Sequence, residues 1–193
     1  MSHLRPAIVS VILFTLLLGL AYPLAMTGVA GLAFPYQAGG ELVRDSGGQV
    51  VGSALIGQSF ASPRYLHPRP SAAGTGYDPM NSSGSNYGPL DPKLLDRVRG
   101  DAAAYRQANG VAGVIPADAV TASGSGLDPD ISPANAALQA PRIAAARGLT
   151  PAAVQAVIAA HVQAPVLGFL GQPRVNVLQT NRALDALAAK GHS

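Results

Sequence analysis

Apolar and polar positions divide this chain into two regimes. From Pro6 to Gly40 no residue carries a formal charge, and Ala7 to Met26 is almost all Val, Ile, Leu, Phe and Ala. Inside a hydrocarbon slab the backbone finds no water, so a segment must bond its amides internally, and about 20 helical residues cross the roughly 30 Å. The pattern predicts a membrane-spanning helix over about residues 7–30, within an N-terminal segment 1–34. A cleaved signal peptide competes with this reading, because Gly31-Leu32-Ala33 places small residues at cleavage spacing. Signal cores run to about 7–15 apolar residues and this one is longer before Pro23, so an uncleaved anchor fits better.

After the anchor the apolar runs become short. Val50, Val51, Leu55 and Ile56, broken by Gly52 and Gly57, predict a strand or two between Gln49 and Phe60. Residues 62–92 are crowded with Pro, Gly, Ser and Asn, far beyond a usual connection of about four to six residues. Arg64, Tyr65, Leu66, His67, Arg69, Tyr77, Met80 and Tyr87 give that stretch enough packing side chains to form an ordered loop. Three helix starts pair a capping oxygen with a first-turn proline: Asp91-Pro92, Ser132-Pro133 and Thr150-Pro151. The first helix carries Leu94, Leu95, Val98, Ala102 and Tyr105 on one stripe and ends near Gly110. Pro141 is expected to split the second into a helix to about Gln139 and another over residues 141–147. The third runs to about Val162, and a last helix covers about residues 177–189. The sum is an α+β protein: one N-terminal transmembrane helix, then a single compact exported domain over residues 35–193, with a small sheet, several short helices and long Gly/Pro/Ser loops.

Composition narrows the function. Only 13 basic and 10 acidic residues stand against 48% apolar ones, which excludes a charge-rich disordered chain. With no cysteine, disulfides and thiolate chemistry are excluded. A net charge of +3 without a basic cluster, and no tryptophan, leaves no electrostatic footprint for nucleic acid. Arg5 and the terminal amine precede the apolar helix, while Glu41, Arg44 and Asp45 follow it. Positive charge favours an inside N-terminus, which puts the bulk of the chain outside the cytoplasm.

The common catalytic templates do not occur: no Gly-x-x-x-x-Gly-Lys loop, no His-Glu-x-x-His, no Gly-x-Ser-x-Gly and no Ser-x-x-Lys. No catalytic residue is expected, and His3, His67, His161 and His192 are too scattered to suggest a metal site. Two hydroxyl-rich glycine segments remain, residues 81–89 and 121–130. Such backbones form nests for an anion or present carbonyls to a cation, and equally they form plain turns. Asp128 and Asp130 read as caps or turn formers, and Gln58 as an amide reader or a loop contact.

Five stretches in order carry a specific resemblance: Gly52-Ser-Ala-Leu-Ile-Gly-Gln-Ser-Phe, Arg64-Tyr-Leu-His-Pro-Arg-Pro-Ser-Ala, Ser83-Gly-Ser-Asn-Tyr-Gly-Pro, Val120-Thr-Ala-Ser-Gly-Ser-Gly-Leu-Asp-Pro and Arg174-Val-Asn-Val-Leu. Together with the N-terminal helix and Arg142-Ile-Ala-Ala-Ala-Arg-Gly-Leu, they make nearly the whole chain resemble the C subunit of the Kdp potassium-transporting ATPase. Leu66 departs by standing where an aromatic residue is expected. Thr180 and Arg182 depart by standing where the family's last helix tends to be apolar, which puts that helix's packing face in question.

The resemblance implies a non-catalytic accessory subunit of a bacterial inner-membrane complex. Its partners would be a channel-like potassium-binding subunit, a P-type ATPase subunit and a small single-helix subunit, with ATP and K+ handled by the complex and no cofactor of its own. One reading makes the exported domain a cap near the ion entrance, with Tyr65, Ser71, Asn81, Ser85, Asn86 and Asp128 on its loops. The family's usual description is instead a catalytic chaperone that raises the ATPase subunit's affinity for ATP. In that reading Gln58, Arg69 and the loop Ser123, Gly124, Ser125 and Gly126 lie near the nucleotide. Charge asymmetry favours the cap, because ATP is cytoplasmic. Outside the family, an anchored solute-binding module or enzyme is the runner-up.

Overall fold

The computed structural model describes residues 3–190. The chain divides into two units, Met1–Val51 and Gly52–Ser193. In the first, one continuous apolar helix covers Leu4–Ala33, 30 residues with a mean hydropathy of 2.3 over its most apolar window. It is built from α1 (Leu4–Leu16), a π-helical turn (Leu17–Ala21) and α2 (Tyr22–Ala33). Pro23 explains the wide turn, since proline lacks the N–H that a regular helix needs and its ring crowds the preceding turn. Thr27 Oγ1 donates to the Pro23 carbonyl at 2.9 Å. A helical turn, α3 (Pro35–Ala38), leads to a hairpin of β1 (Leu42–Arg44) and β2 (Val50–Ser53). The predicted strand stops there: Leu55 and Ile56 lie in an exposed turn.

The second unit holds the three capped helices. In α4 (Pro92–Asn109) the Asp91 carboxylate accepts from Lys93 N at 2.9 Å, and Gly110 closes the helix in the left-handed conformation. In α5 (Pro133–Arg147) Ser132 Oγ accepts from Asn135 N at 3.1 Å, and in α6 (Pro151–Ala160) Thr150 Oγ1 accepts from Ala153 N at 3.2 Å. Contrary to the expectation, Pro141 does not divide α5. Pro141 and Ala137, whose carbonyl loses its partner, both face outward, so water can serve that carbonyl. The opposite face, Ala136, Ala140, Ile143 and Ala144, is locked in the core.

A short antiparallel sheet supports these helices: β3 (Asp130–Ile131), β4 (Val162–Gln163) and β5 (Arg174–Asn176), in the order β3-β5-β4 with Val175 opposite both Ile131 and Val162. Helix α7 (Val177–Lys190) follows β5 directly. Alanines on the inner face of α5 let α6 approach closely, and Val154, Ile158, Val175 and Leu184 fill the rest. Leu66 comes from the long loop and is wholly buried. The side chain of Asn181 holds its backbone, accepting from Leu66 N at 2.7 Å and donating to Leu66 O at 3.0 Å. A leucine therefore serves as a full core member there. Thr180 is buried too, its hydroxyl bonding to the Asn176 carbonyl four residues back at 2.7 Å, whereas Arg182 faces outward. The packing face of α7 thus tolerates a hydroxyl because the helix itself satisfies it.

Candidate functional site

Arg69, Ser71, Asp128 and the Ser123–Gly126 turn, singled out in the sequence, converge where the long loop, residues 62–90, meets the segment 121–130. Arg69 reaches across: Nη1 donates to Asp128 Oδ2 at 2.8 Å, and Nε and Nη2 to the carbonyl and hydroxyl of Thr121 at 3.3 and 3.4 Å. Ser71 Oγ donates to the Gly126 carbonyl at 2.6 Å and accepts from Tyr77 N at 2.8 Å. Ser83 N and Ser82 Oγ both donate to the Ser125 carbonyl at 2.9 Å. Within the turn, Gly126 N donates to the Ser123 carbonyl at 3.3 Å and Leu127 N to Ser125 Oγ at 3.0 Å. Gly124 lies against Gly84, where a β-carbon would stand 3.0 Å from the Gly124 carbonyl. The two glycine-rich segments thus zip together.

The two sets of candidate residues interleave here. Arg69 pairs with Asp128, and Ser71 with Gly126. Gln58 lies apart, its carboxamide against Gly52 so closely that a β-carbon there would overlap its oxygen. Tyr65 is also elsewhere: its hydroxyl donates to Asp185 Oδ2 at 3.2 Å, and Arg147 lies 5.1 Å from its ring centre. Asn81 Nδ2 donates to Asp78 at 2.6 Å; Ser85 is half-buried, and Asn86 is exposed with φ +53.

A second polar cluster lies beside a cleft of about 410 Å³ whose walls include Phe60, His67, Tyr77, Asp101, Tyr105 and Gln139. Gln139 is buried; it accepts from His67 N at 2.8 Å and from Arg142 at 2.8 Å, and donates to Asn135 Oδ1 at 2.9 Å. Asp118 accepts from Ser132 N, Ser132 Oγ and Asn135 Nδ2 at 2.7, 2.9 and 3.1 Å. Tyr105 donates to Asn135 Oδ1 at 2.8 Å, and burial together with the Asp118 charge pushes its hydroxyl up to about 12. Sequence reasoning missed this cluster. The available signal was Asn135 and Gln139, polar residues four apart on the apolar face of α5. Among the described residues no group of three or more His, Asp or Glu could hold a metal ion. His192 lies outside the described residues.

Burial, with the Arg142 guanidinium second, lowers the His67 pKa, so the folded state holds it neutral. An unfolded histidine titrates near pH 6.5. Between there and the lower folded value the unfolded chain binds the extra proton, so stability falls as pH falls through that window. His67→Gln is expected to flatten this slope. The check is urea unfolding of the full-length chain in detergent at pH 7.5 and 5.5, where the wild type should lose more than the variant. The raised carboxyls of Asp101 and Asp130, both raised chiefly by burial, act in the opposite sense nearer the acidic end.

Fold and site define a membrane-anchored protein whose larger unit fixes long polar loops on a helical core. Residues 4–186 match the family model KdpC, described as K+-transporting ATPase, c chain. A potassium-transporting ATPase KdpC subunit of Caulobacter vibrioides is 69% identical over 187 residues, covering 96% of this chain and 94% of that protein. That of Beijerinckia indica is 60% identical with the same coverage, and that of Gemmatimonas aurantiaca is 55% identical over 194 residues, 100% of this chain and 97% of its own. The chain belongs to the KdpC family. Family and anchor make it a single-pass protein of the bacterial inner membrane with its larger unit outside the cytoplasm.

Proposed function

We propose that this chain is the accessory subunit of an ATP-driven potassium uptake complex, where it stabilises the assembly and caps the outer face of the channel-like subunit near the ion entrance. It is non-catalytic. Its partners in this reading are the channel-like potassium-binding subunit, the P-type ATPase subunit and a small single-helix subunit, which between them handle K+ and ATP. The observation that carries the reading is the family match over residues 4–186, which takes in both the apolar anchor and the loop framework. The interlocked loops support the cap, because Arg69 bonds to Thr121 and Asp128 on either side of the Ser123–Gly126 turn while Ser71 bonds to Gly126 within it, which gives a preformed surface for a neighbour.

The test compares complexes purified with and without this chain. Loss of partner co-purification and of potassium-stimulated ATP hydrolysis is expected without it; an intact, fully active complex would overturn the proposal. The chaperone alternative makes a different forecast, a weaker ATP affinity in the Gln58→Ala complex, where the cap reading expects no change.

A further inference from the structure

Between β4 and β5 the chain reverses at a hairpin closed by Val166 and Leu170, whose backbones exchange hydrogen bonds of 3.0 and 2.9 Å. Its tip puts Leu167 at φ +56 and Gly168 at φ +80. Left-handed backbone suits glycine or asparagine, and a bulky leucine there is strained. Packing within the fold does not compensate, since Leu167 is 78% exposed. Its neighbours Phe169, Val166 and Leu170 are 72%, 56% and 50% exposed. Residues 162–173 contain no charge at all. A strained, outward leucine among three exposed apolar side chains marks a contact surface.

We infer that this hairpin is a docking plug, which inserts Leu167 and Phe169 into an uncharged apolar recess on the extracytoplasmic face of another membrane subunit of the complex. The inference rests on the accessory-subunit reading. Size argues for an occupant in the same membrane. Four such side chains offer on the order of 400 Å², below the roughly 800 Å² per partner of a self-sufficient interface. The patch is too small to recruit a soluble protein, and large enough where a spanning helix already keeps both parties close. Lipid is the other candidate in that membrane. Segments that settle at the headgroup boundary surround their apolar tip with Trp, Tyr, Lys or Arg, and residues 162–173 hold none of these. Cross-strand bonds that fix the side-chain directions suit a shaped recess better than a fluid one.

The chain has no cysteine, so Leu167→Cys creates a single attachment point on it for benzophenone maleimide, which is coupled to the purified chain before the full complex is assembled. Irradiation is expected to give an adduct with a different subunit. Adducts with lipid or with a second copy of this chain, or no adduct in an intact complex, would overturn the plug. Leu167→Asn combined with Phe169→Ser supplies a second arm, because asparagine suits the left-handed position and leaves the hairpin able to fold. Recovery of partner subunits through a tag on this chain is expected to fall at least ten-fold, and unchanged recovery would overturn the plug. If the unaltered tagged chain recovers no other subunit, the accessory-subunit reading fails first, and the plug with it.

Discussion

Gly126→Ala is expected to lower the stability of the full-length chain by roughly 3 kcal/mol or more, a fall in melting temperature of roughly 10 °C. Two costs combine. The residue has φ +68, where a β-carbon meets the following carbonyl and costs about 1–2 kcal/mol. That β-carbon would also stand 2.6 Å from Ala73 N and 2.7 Å from the Ser83 carbonyl, both backbone atoms that no rotamer change can move. Gly110→Ala is the control: φ is +65, yet nothing lies within 4 Å of its β-carbon, so about 1 kcal/mol is expected. Thermal unfolding of both variants in detergent decides the matter. Equal losses would mean that the seam between the glycine-rich loops is looser than its geometry implies.

Arg147→Met should cost about 3 kcal/mol. The Arg147 side chain is fully buried, and its guanidinium donates to the Arg64 carbonyl at 2.7 Å, the Leu184 carbonyl at 3.1 Å and Asp185 Oδ1 at 2.8 Å. Asp185 is half-exposed and remains hydrated when its partner goes. The loss therefore comes chiefly from the stranded Arg64 carbonyl, with smaller parts from the bond to the Leu184 carbonyl, which lies within the α7 ladder, and from the contact with the Tyr65 ring. Arg147→Lys is expected to lose most of the same amount, because a single ammonium cannot reproduce a planar fork aimed at three acceptors. Amide exchange at Leu66 and along α7 reads the effect directly, and unchanged protection in Arg147→Lys would show that charge alone suffices.

Much of the fold was legible because its signals are local. Asp91, Ser132 and Thr150 each cap the helix they announced, and Gly110 ends α4 as its position implied. What stayed hidden depends on distant partners. Strands β3, β4 and β5 have two or three residues each, too few for any alternation to show, and Val162, which the apolar pattern places at the end of a helix, opens β4. The continuity of α5 through Pro141 depends on which side of the helix meets the core, which neighbours decide. In the site, Ser71 and Arg69 could be picked out as chemistry-bearing, but their bonds to Gly126 and Asp128 span 55 and 59 residues of sequence. His67 and Gln139, 72 residues apart, complete the second cluster through one buried carboxamide. No spacing rule connects them.

The claim on which the rest depends is that the larger unit faces outward from the inner membrane. Val114 is 92% exposed, and the natural chain lacks cysteine, so Val114→Cys provides a single reporter and His3→Cys its counterpart before the anchor. A membrane-impermeant maleimide is added to intact cells with a permeabilised outer membrane. An outward-facing larger unit is labelled at position 114 before lysis, with position 3 labelled only after it; labelling at 114 only after lysis would place that unit in the cytoplasm.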